Sequence, residues 1–199
     1  MIVGISGAQG GGKSSLLNKL KEWGYKVDDF RVSRAVQAEL GWDSLERVMD
    51  TPDTMMAFQE QVFKQKLKND GVLAKADELV LTERTFADIY AYTCLWMGKF
   101  IQHGVIDQTE GTVWLADYRV KCLNAQIDVY SGTLLLPLMP HIVFENDPHR
   151  AKQEDAEKVY KLITRFTYGL ADEVPFYKIT QESVVHRATE VEHFLKVVT

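Results

Sequence analysis

Apolar residues recur along this chain in two rhythms, and the alternation between them lays out its elements. Ile2 to Ile5 form a continuous apolar run, the length of a parallel strand buried on both faces. After a run of glycines, Leu16, Leu17, Leu20 and Trp23 fall at helical spacing over Lys13 to Trp23, and Gly24 closes that helix. Tyr25 to Val27 read as a short second strand, and Arg34 to Leu40 as a helix closed by Gly41. Thr51 is a helix N-cap followed by Pro52, and the helix it opens is expected to reach about Leu67, where Asn69-Asp70-Gly71 supply a stop. Leu79 to Thr82 read as the third strand. Helices follow over Phe86 to Gln102, with Gly104 as a stop, and over Thr112 to Tyr130. Thr133 to Leu138 is the fourth strand, with His141 to Phe144 a rival for that place. The rest reads as a helix over Glu154 to Phe166, a strand over Pro175 to Thr180 and a terminal helix over Glu182 to Val197.

Strands alternating with helices imply an α/β fold with a parallel sheet covered on both faces. The excess of helices late in the chain suggests a helical lid or cap at about 139–166. A length of 199 residues suits one domain spanning the whole chain. With 23 Lys and Arg against 28 Asp and Glu, the net charge of −5 argues against a surface built throughout for duplex DNA and leaves room for a local basic cleft. Cys94 and Cys122 lie in apolar helical patterns with no CxxC, and read as small buried hydrophobes in a reducing compartment. No apolar run approaches the ~18 residues of a membrane span, and the first residues lack a basic n-region; the expectation is a cytoplasmic protein with no membrane partner. The five histidines show no metal-ligand spacing, so no structural metal is assigned.

The most specific chemistry lies at Gly7-Ala8-Gln9-Gly10-Gly11-Gly12-Lys13-Ser14, which fits G-x-x-x-x-G-K-[ST] between a predicted strand and a predicted helix. A random chain of this length carries that pattern on the order of once in a hundred. Backbone N–H groups of residues 9 to 14 can converge into a nest, and the helix N-terminus adds roughly half a positive charge. Glycine is required where φ is positive or where a Cβ would strike a phosphate oxygen. Lys13 is the cation for β- and γ-phosphates, Ser14 offers its hydroxyl to Mg²⁺, and Ser15 is placed to bond an α-phosphate. Nucleoside triphosphate binding follows.

Residues that decide the reaction are expected at the carboxyl ends of neighbouring strands. Asp28-Asp29-Phe30-Arg31, with Arg34 one helical step on, follows the second strand, and Glu83-Arg84-Thr85, with Asp88 one turn on, follows the third. Glu83 fits the hydration shell of Mg²⁺, either aspartate fits a base for an attacking hydroxyl, and Arg84 fits a clamp on a phosphate. Arg150 is the candidate for a charge arriving when a lid closes and excludes water. On the helix from Thr51, a planar acceptor has Phe58 to stack on and Gln59 or Gln61 to bond.

The Walker-type loop at 7–14 and the run Glu83-Arg84-Thr85-Phe86-Ala87-Asp88-Ile89-Tyr90-Ala91-Tyr92 together resemble the P-loop kinases of nucleosides and nucleotides. Within that group the chain most resembles the branch holding the nicotinamide riboside kinase domain and its bacterial and phage relatives. Asp147-Pro148-His149-Arg150 with Asp155 is similar to the lid segment of that branch, although Pro148-His149 stand where a glycine is usual, and Thr180 with Arg187 is similar to its last strand and helix near the adenine. The resemblance implies a three-layer α/β/α P-loop kinase with a helical lid. It also implies ATP and Mg²⁺ as cofactors, and phosphoryl transfer to a nucleoside-like acceptor in the cytoplasm, or the host cytoplasm for a phage-encoded chain. Gly7, Ala8, Gln9, Gly10, Gly11, Gly12, Lys13, Ser14, Ser15 and Arg187 would hold the nucleotide.

Three readings stand. The leading one is a kinase acting on a free nucleoside or nucleotide. A second keeps the machinery and takes a hydroxymethylated base within DNA, with Lys64, Lys66 and Lys68 as a track for the strand. A third is a P-loop ATPase or switch that transfers nothing. The sequence leaves the oligomeric state open, a homodimer included.

Overall fold

The computed structural model describes residues 1–139 and 152–198. The first apolar run becomes the central strand, β1 (Ile2–Ser6), with all five residues buried. The chain continues through α1 (Lys13–Glu22), β2 (Lys26–Asp28), α2 (Val32–Glu39), α3 (Pro52–Leu73), β3 (Val80–Glu83), α4 (Phe86–Gln102) and α5 (Gln108–Val129). It ends with β4 (Gly132–Leu135), α6 (Ala156–Tyr168), β5 (Phe176–Lys178) and α7 (Val184–Val198). Among the described residues the five strands form one parallel sheet in the order β2-β3-β1-β4-β5, with Ile2 opposite Val80 and Val3 opposite Gly132. The carboxyl ends of β2, β3 and β1 thus stand side by side.

Because side chains alternate across a strand, the sheet feeds two cores. Val3, Ile5, Leu81 and Leu134 meet Leu16, Leu17 and Leu20 of α1 and Ala188 and Val191 of α7. Ile2 and Leu135 turn to the other face, towards Phe58 of α3, Phe86 and Met97 of α4 and Tyr118 of α5. This is the three-layer α/β/α arrangement the pattern implied. A Cβ on Gly4 would stand 2.4 Å from Thr85 Cγ2, so the glycine lets α4 begin directly against the central strand.

Two helix boundaries differ from expectation, each for its own reason. Thr51 caps α3 as foreseen, accepting from the Thr54 N–H at 3.0 Å, but the helix runs through Asn69-Asp70-Gly71 to Leu73. Those residues are not a solvated turn: Asp70 is fully buried, paired with Lys66 at 3.0 Å and accepting the Tyr130 hydroxyl, while Asn69 donates to Asp28 at 2.8 Å. Lys66 is equally buried, which removes it from any surface track with Lys64 and Lys68. Helix α5 starts four residues before its expected Thr112, because Asp107 caps it by accepting from the Thr109 and Glu110 N–H groups.

Helix α6, the later part of the lid-like segment, packs on α4. Val159, Ile163 and Phe166 are buried, the Phe166 ring lies 5.4 Å from that of Tyr90, and Asp155 pairs with Lys99 at 2.6 Å. The rival strand His141 to Phe144 and Arg150 lie outside the described residues.

Removing one member of a buried ion pair orphans the other charge. Lys66→Met is expected to lower stability by about 3–5 kcal/mol. The double variant Lys66→Met/Asp70→Leu should regain part of that loss, as urea unfolding followed by tryptophan fluorescence would measure.

Candidate active site

Between β1 and α1 the glycine loop turns through left-handed backbone at Gly10 (φ 74°) and Gly12 (φ 82°), conformations that favour glycine. Gly12 has a second constraint, since a Cβ there would lie 2.9 Å from the Arg187 guanidinium. Three contacts fix the loop: the Gly7 N–H donates to Asp88 at 3.2 Å, the Gly11 N–H to the Ala8 carbonyl at 3.2 Å, and Arg187 Nη1 to the Gly11 carbonyl at 2.8 Å. Arg187 also donates to the Gln181 carbonyl at 2.7 Å, and its burial lowers its pKa. The structure therefore sets Arg187 behind the loop as its support and off the cavity wall. Lys13 lies within the loop, its ammonium donating to the Gly7 carbonyl and, at 3.0 Å, to the Ala8 carbonyl. The first turn of α1 carries no acid of its own.

At the end of β3 the Ser14 hydroxyl donates to Glu83 Oε2 at 3.2 Å. A hydroxyl and a carboxylate meeting beside a phosphate loop are hard oxygen donors of the kind Mg²⁺ takes, so this pair fits that ion. The Glu83 carbonyl accepts from Lys66 Nζ at 2.9 Å. Arg84 then adopts φ 66°, a left-handed conformation costly for a non-glycine residue, and is held there by the bond from its N–H to the Ile5 carbonyl at 2.9 Å. Its guanidinium lies 5.3 Å from the centre of the Tyr92 ring. Burial works to lower the Arg84 pKa, but Tyr92, Glu83 and Asp88 outweigh it and the net direction is upward. Thr85 and Asp88 form a capping box at the start of α4.

A cavity of about 270 Å³ opens where these strand ends meet. Its lining includes the loop from Gln9 to Ser15, Glu83 and Arg84 at the end of β3, and Phe30, Arg31, Ser33 and Arg34 around the start of α2. Phe58 and Gln59 of α3 and Tyr92 and Trp96 of α4 also line it. Phe58 stacks on Trp42 at 5.1 Å and meets Trp96 edge-on at 6.3 Å, and Trp96 leans on Tyr92 at 5.7 Å. Of the two glutamines considered, Gln61 is exposed and Gln59 lines the cavity, 2% exposed. The Gln59 side-chain amide makes no hydrogen bond among the described residues; its backbone carbonyl accepts from Tyr118. The Gln9 amide links Tyr92, whose hydroxyl donates to it at 2.7 Å, to the Lys152 carbonyl at 2.6 Å.

The structure thus brings Gln9, Gly10, Gly11, Gly12, Lys13, Ser14, Ser15, Glu83 and Arg84 onto one cavity, and leaves Gly7 and Ala8 off its lining. It does not bring the aspartates there. Neither Asp28 nor Asp29 lines the cavity, and the Asp28 carboxylate accepts from Asn69 at 2.8 Å and Thr82 at 3.3 Å. Tyr92 and Asp88 stand in the run 83–92 already singled out, but their places as a cavity-lining ring and a loop anchor, and Trp96 beside them, emerge only in the fold. Their four-residue spacing, one face of α4, was the available signal.

Burial raises the Tyr92 pKa to about 12 against the opposing charge of Arg84, and burial with the Asp70 carboxylate drives Tyr130 well upward. Unfolded tyrosines ionise near pH 10, so the contribution of these two to stability is complete below about pH 10 and is lost as pH rises towards 12. Urea unfolding across that range should show stability falling, and Tyr92→Phe should make the fall shallower.

A protein-family model described as an AAA domain matches residues 2–187. Comparison with curated proteins gives no sequence match. Among solved structures, the deoxyadenosine kinase of M. mycoides with products dCMP and a flexible dCDP bound superposes with a TM-score of 0.69 at 15% identity, over 99% of this chain and 100% of that one. The thymidylate kinase of Candida albicans gives 0.71 at 13% identity, over 98% of this chain and 91% of that one. The NadR protein in complex with NAD and AMP-PNP gives 0.68 at 13% identity, over 100% of this chain and 50% of that one. These likenesses establish the fold as that of the P-loop nucleoside and nucleotide kinases.

Proposed function

The chain belongs to the AAA-domain family, and on that premise we propose that it is an ATP-dependent phosphotransferase acting on a nucleoside or nucleotide. One observation carries the reading: the phosphate loop, the Ser14–Glu83 pair and an aromatic chamber with the buried Gln59, whose amide is unbonded among the described residues, share a single cavity. An enzyme that only hydrolysed ATP would need the first two and have no use for the third.

The residues divide the work by position. Loop amides and Lys13 bind the donor phosphates, Lys13 exchanging its loop carbonyls for phosphate oxygens. Ser14 and Glu83 would hold Mg²⁺, which would supply charge neutralisation to the donor phosphates. Arg84, set over the Tyr92 face and pre-aimed by its backbone, offers a guanidinium to the transferring group. Phe58 and Trp96 supply flat apolar surface for a base, and Gln59 an amide that both donates and accepts. Such catalysis consists of positioning and electrostatic stabilisation.

Lys13→Ala is expected to lower acceptor-dependent ADP formation by about 10²–10³-fold. Its side chain bonds the Gly7 and Ala8 carbonyls at the loop and packs no part of either apolar core, so circular dichroism and melting temperature should stay near those of the parent. Wild-type turnover in the variant, or ADP release indifferent to every acceptor offered, would refute the assignment.

A further inference from the structure

We propose that Tyr92 is a positioning residue for phosphoryl transfer, its ring face setting the Arg84 guanidinium and its hydroxyl setting Gln9 of the phosphate loop; this rests on the phosphotransfer reading above and adds a residue to it. Tyr92 is buried on α4, one helical turn beyond Asp88 on the same face. That face meets the phosphate loop twice. Asp88 accepts from the Gly7 N–H at 3.2 Å, and the Tyr92 hydroxyl donates to Gln9 Oε1 at 2.7 Å. The Gln9 amide is held from its other end as well, donating to the Lys152 carbonyl at 2.6 Å. Gln9 stands among the loop residues whose backbone N–H groups would cradle phosphate, so a side chain clamped at both ends steadies the peptide that carries one of those donors. Burial raises the Tyr92 pKa to about 12, and the phenol therefore keeps the proton it donates at neutral pH.

The ring has a different task. Among the described residues the Arg84 guanidinium makes no ion pair and no hydrogen bond, and it lies 5.3 Å from the centre of the Tyr92 ring. A carboxylate partner would fix a guanidinium more firmly, but it would occupy its N–H donors and cancel its charge. A π face attracts the cation and leaves the donors and the charge for a ligand. The Arg84 backbone is already set, at φ 66° by the bond from its N–H to the Ile5 carbonyl, so only the side chain is left for the ring to aim. Trp96 at 5.7 Å, itself edge-on to Phe58 at 6.3 Å, holds the ring in turn. One side chain thus meets the donor's loop with its oxygen and the cation of the transferring group with its face.

The two contacts are separable, because phenylalanine keeps the face and lacks the oxygen. The assay follows ADP formation from ATP and Mg²⁺ with the best acceptor in a panel of nucleosides and nucleotides. Tyr92→Phe should raise KM for ATP about fivefold and leave kcat within about twofold. Tyr92→Leu should in addition lower kcat about tenfold. Two double-variant cycles separate positioning from mere packing. With Gln9→Ala in place, Tyr92→Phe should no longer move KM for ATP; with Arg84→Gln in place, Tyr92→Leu should no longer move kcat. Additive losses in either cycle, a kcat for Tyr92→Phe as low as that of Tyr92→Leu, or a change in acceptor KM alone would overturn the inference and leave phosphotransfer standing. Should circular dichroism show Tyr92→Leu unfolded, Tyr92→Met, which fills the space without a ring, takes its place. If no acceptor reacts, phosphotransfer fails, and the same cycles still decide the inference when read as calorimetric dissociation constants. The Gln9 cycle is then read on ATP, and the Arg84 cycle on ADP with aluminium fluoride, a mimic of the transferring group.

Discussion

Asp88 is fully buried at the junction of three segments, accepting from the Ser6 hydroxyl at 2.6 Å, the Gly7 amide at 3.2 Å and the Thr85 amide at 3.0 Å. Those bonds join the end of the central strand, the first residue of the phosphate loop and the cap of α4. A buried donor left without an acceptor costs about 1–3 kcal/mol, so three donors meeting one carboxylate bind the segments into a unit. Arg84 sits one residue ahead of that junction, and its left-handed backbone is the shape the chain must take to pass from β3 into a helix anchored there. The loop that receives phosphate and the arginine that faces it are therefore set by the same group.

Beneath this junction lies a second polar layer. Lys66 reaches from α3 to the Thr82 hydroxyl and the Glu83 carbonyl, both at 2.9 Å, and pairs with Asp70, which in turn accepts from Tyr130. A buried lysine is tolerated because each of these acceptors meets it. The carbonyl of Glu83 is thereby pinned from below while its carboxylate faces Ser14 from above. The position of that carboxylate is a property of α3 and α5 as much as of its own strand.

A chain of net charge −5 nonetheless gathers Lys13, Arg31, Arg34 and Arg84 on one cavity. Low-dielectric walls of Phe58, Tyr92 and Trp96 strengthen the field of those cations over its value in water. The acidic surplus elsewhere leaves phosphate attraction concentrated at the site. Gln9 extends the loop's influence outwards, joining Tyr92 of α4 to the backbone just ahead of α6.

Much of this was legible in the sequence, because strand runs, helical spacing, caps and the glycine loop are local signals that backbone sterics and side-chain periodicity dictate. The parallel sheet, the order of the elements and the roles suggested for Lys13, Ser14 and Glu83 come from such signals. Other features required the tertiary structure. Asn69-Asp70-Gly71 reads as a stop, yet Asp28 at the end of β2 and Tyr130 just after α5 pair with it and carry the helix through. Asp28 reads as a free strand-end acid, yet Asn69, forty-one residues on, takes its oxygen. Lys66 reads as one of a row of surface lysines, and only packing against β3 reveals it as interior. Local sterics decide which elements form; whether a polar group meets solvent, a ligand or another buried group depends on what distant segments bring to it, and no local pattern carries that information.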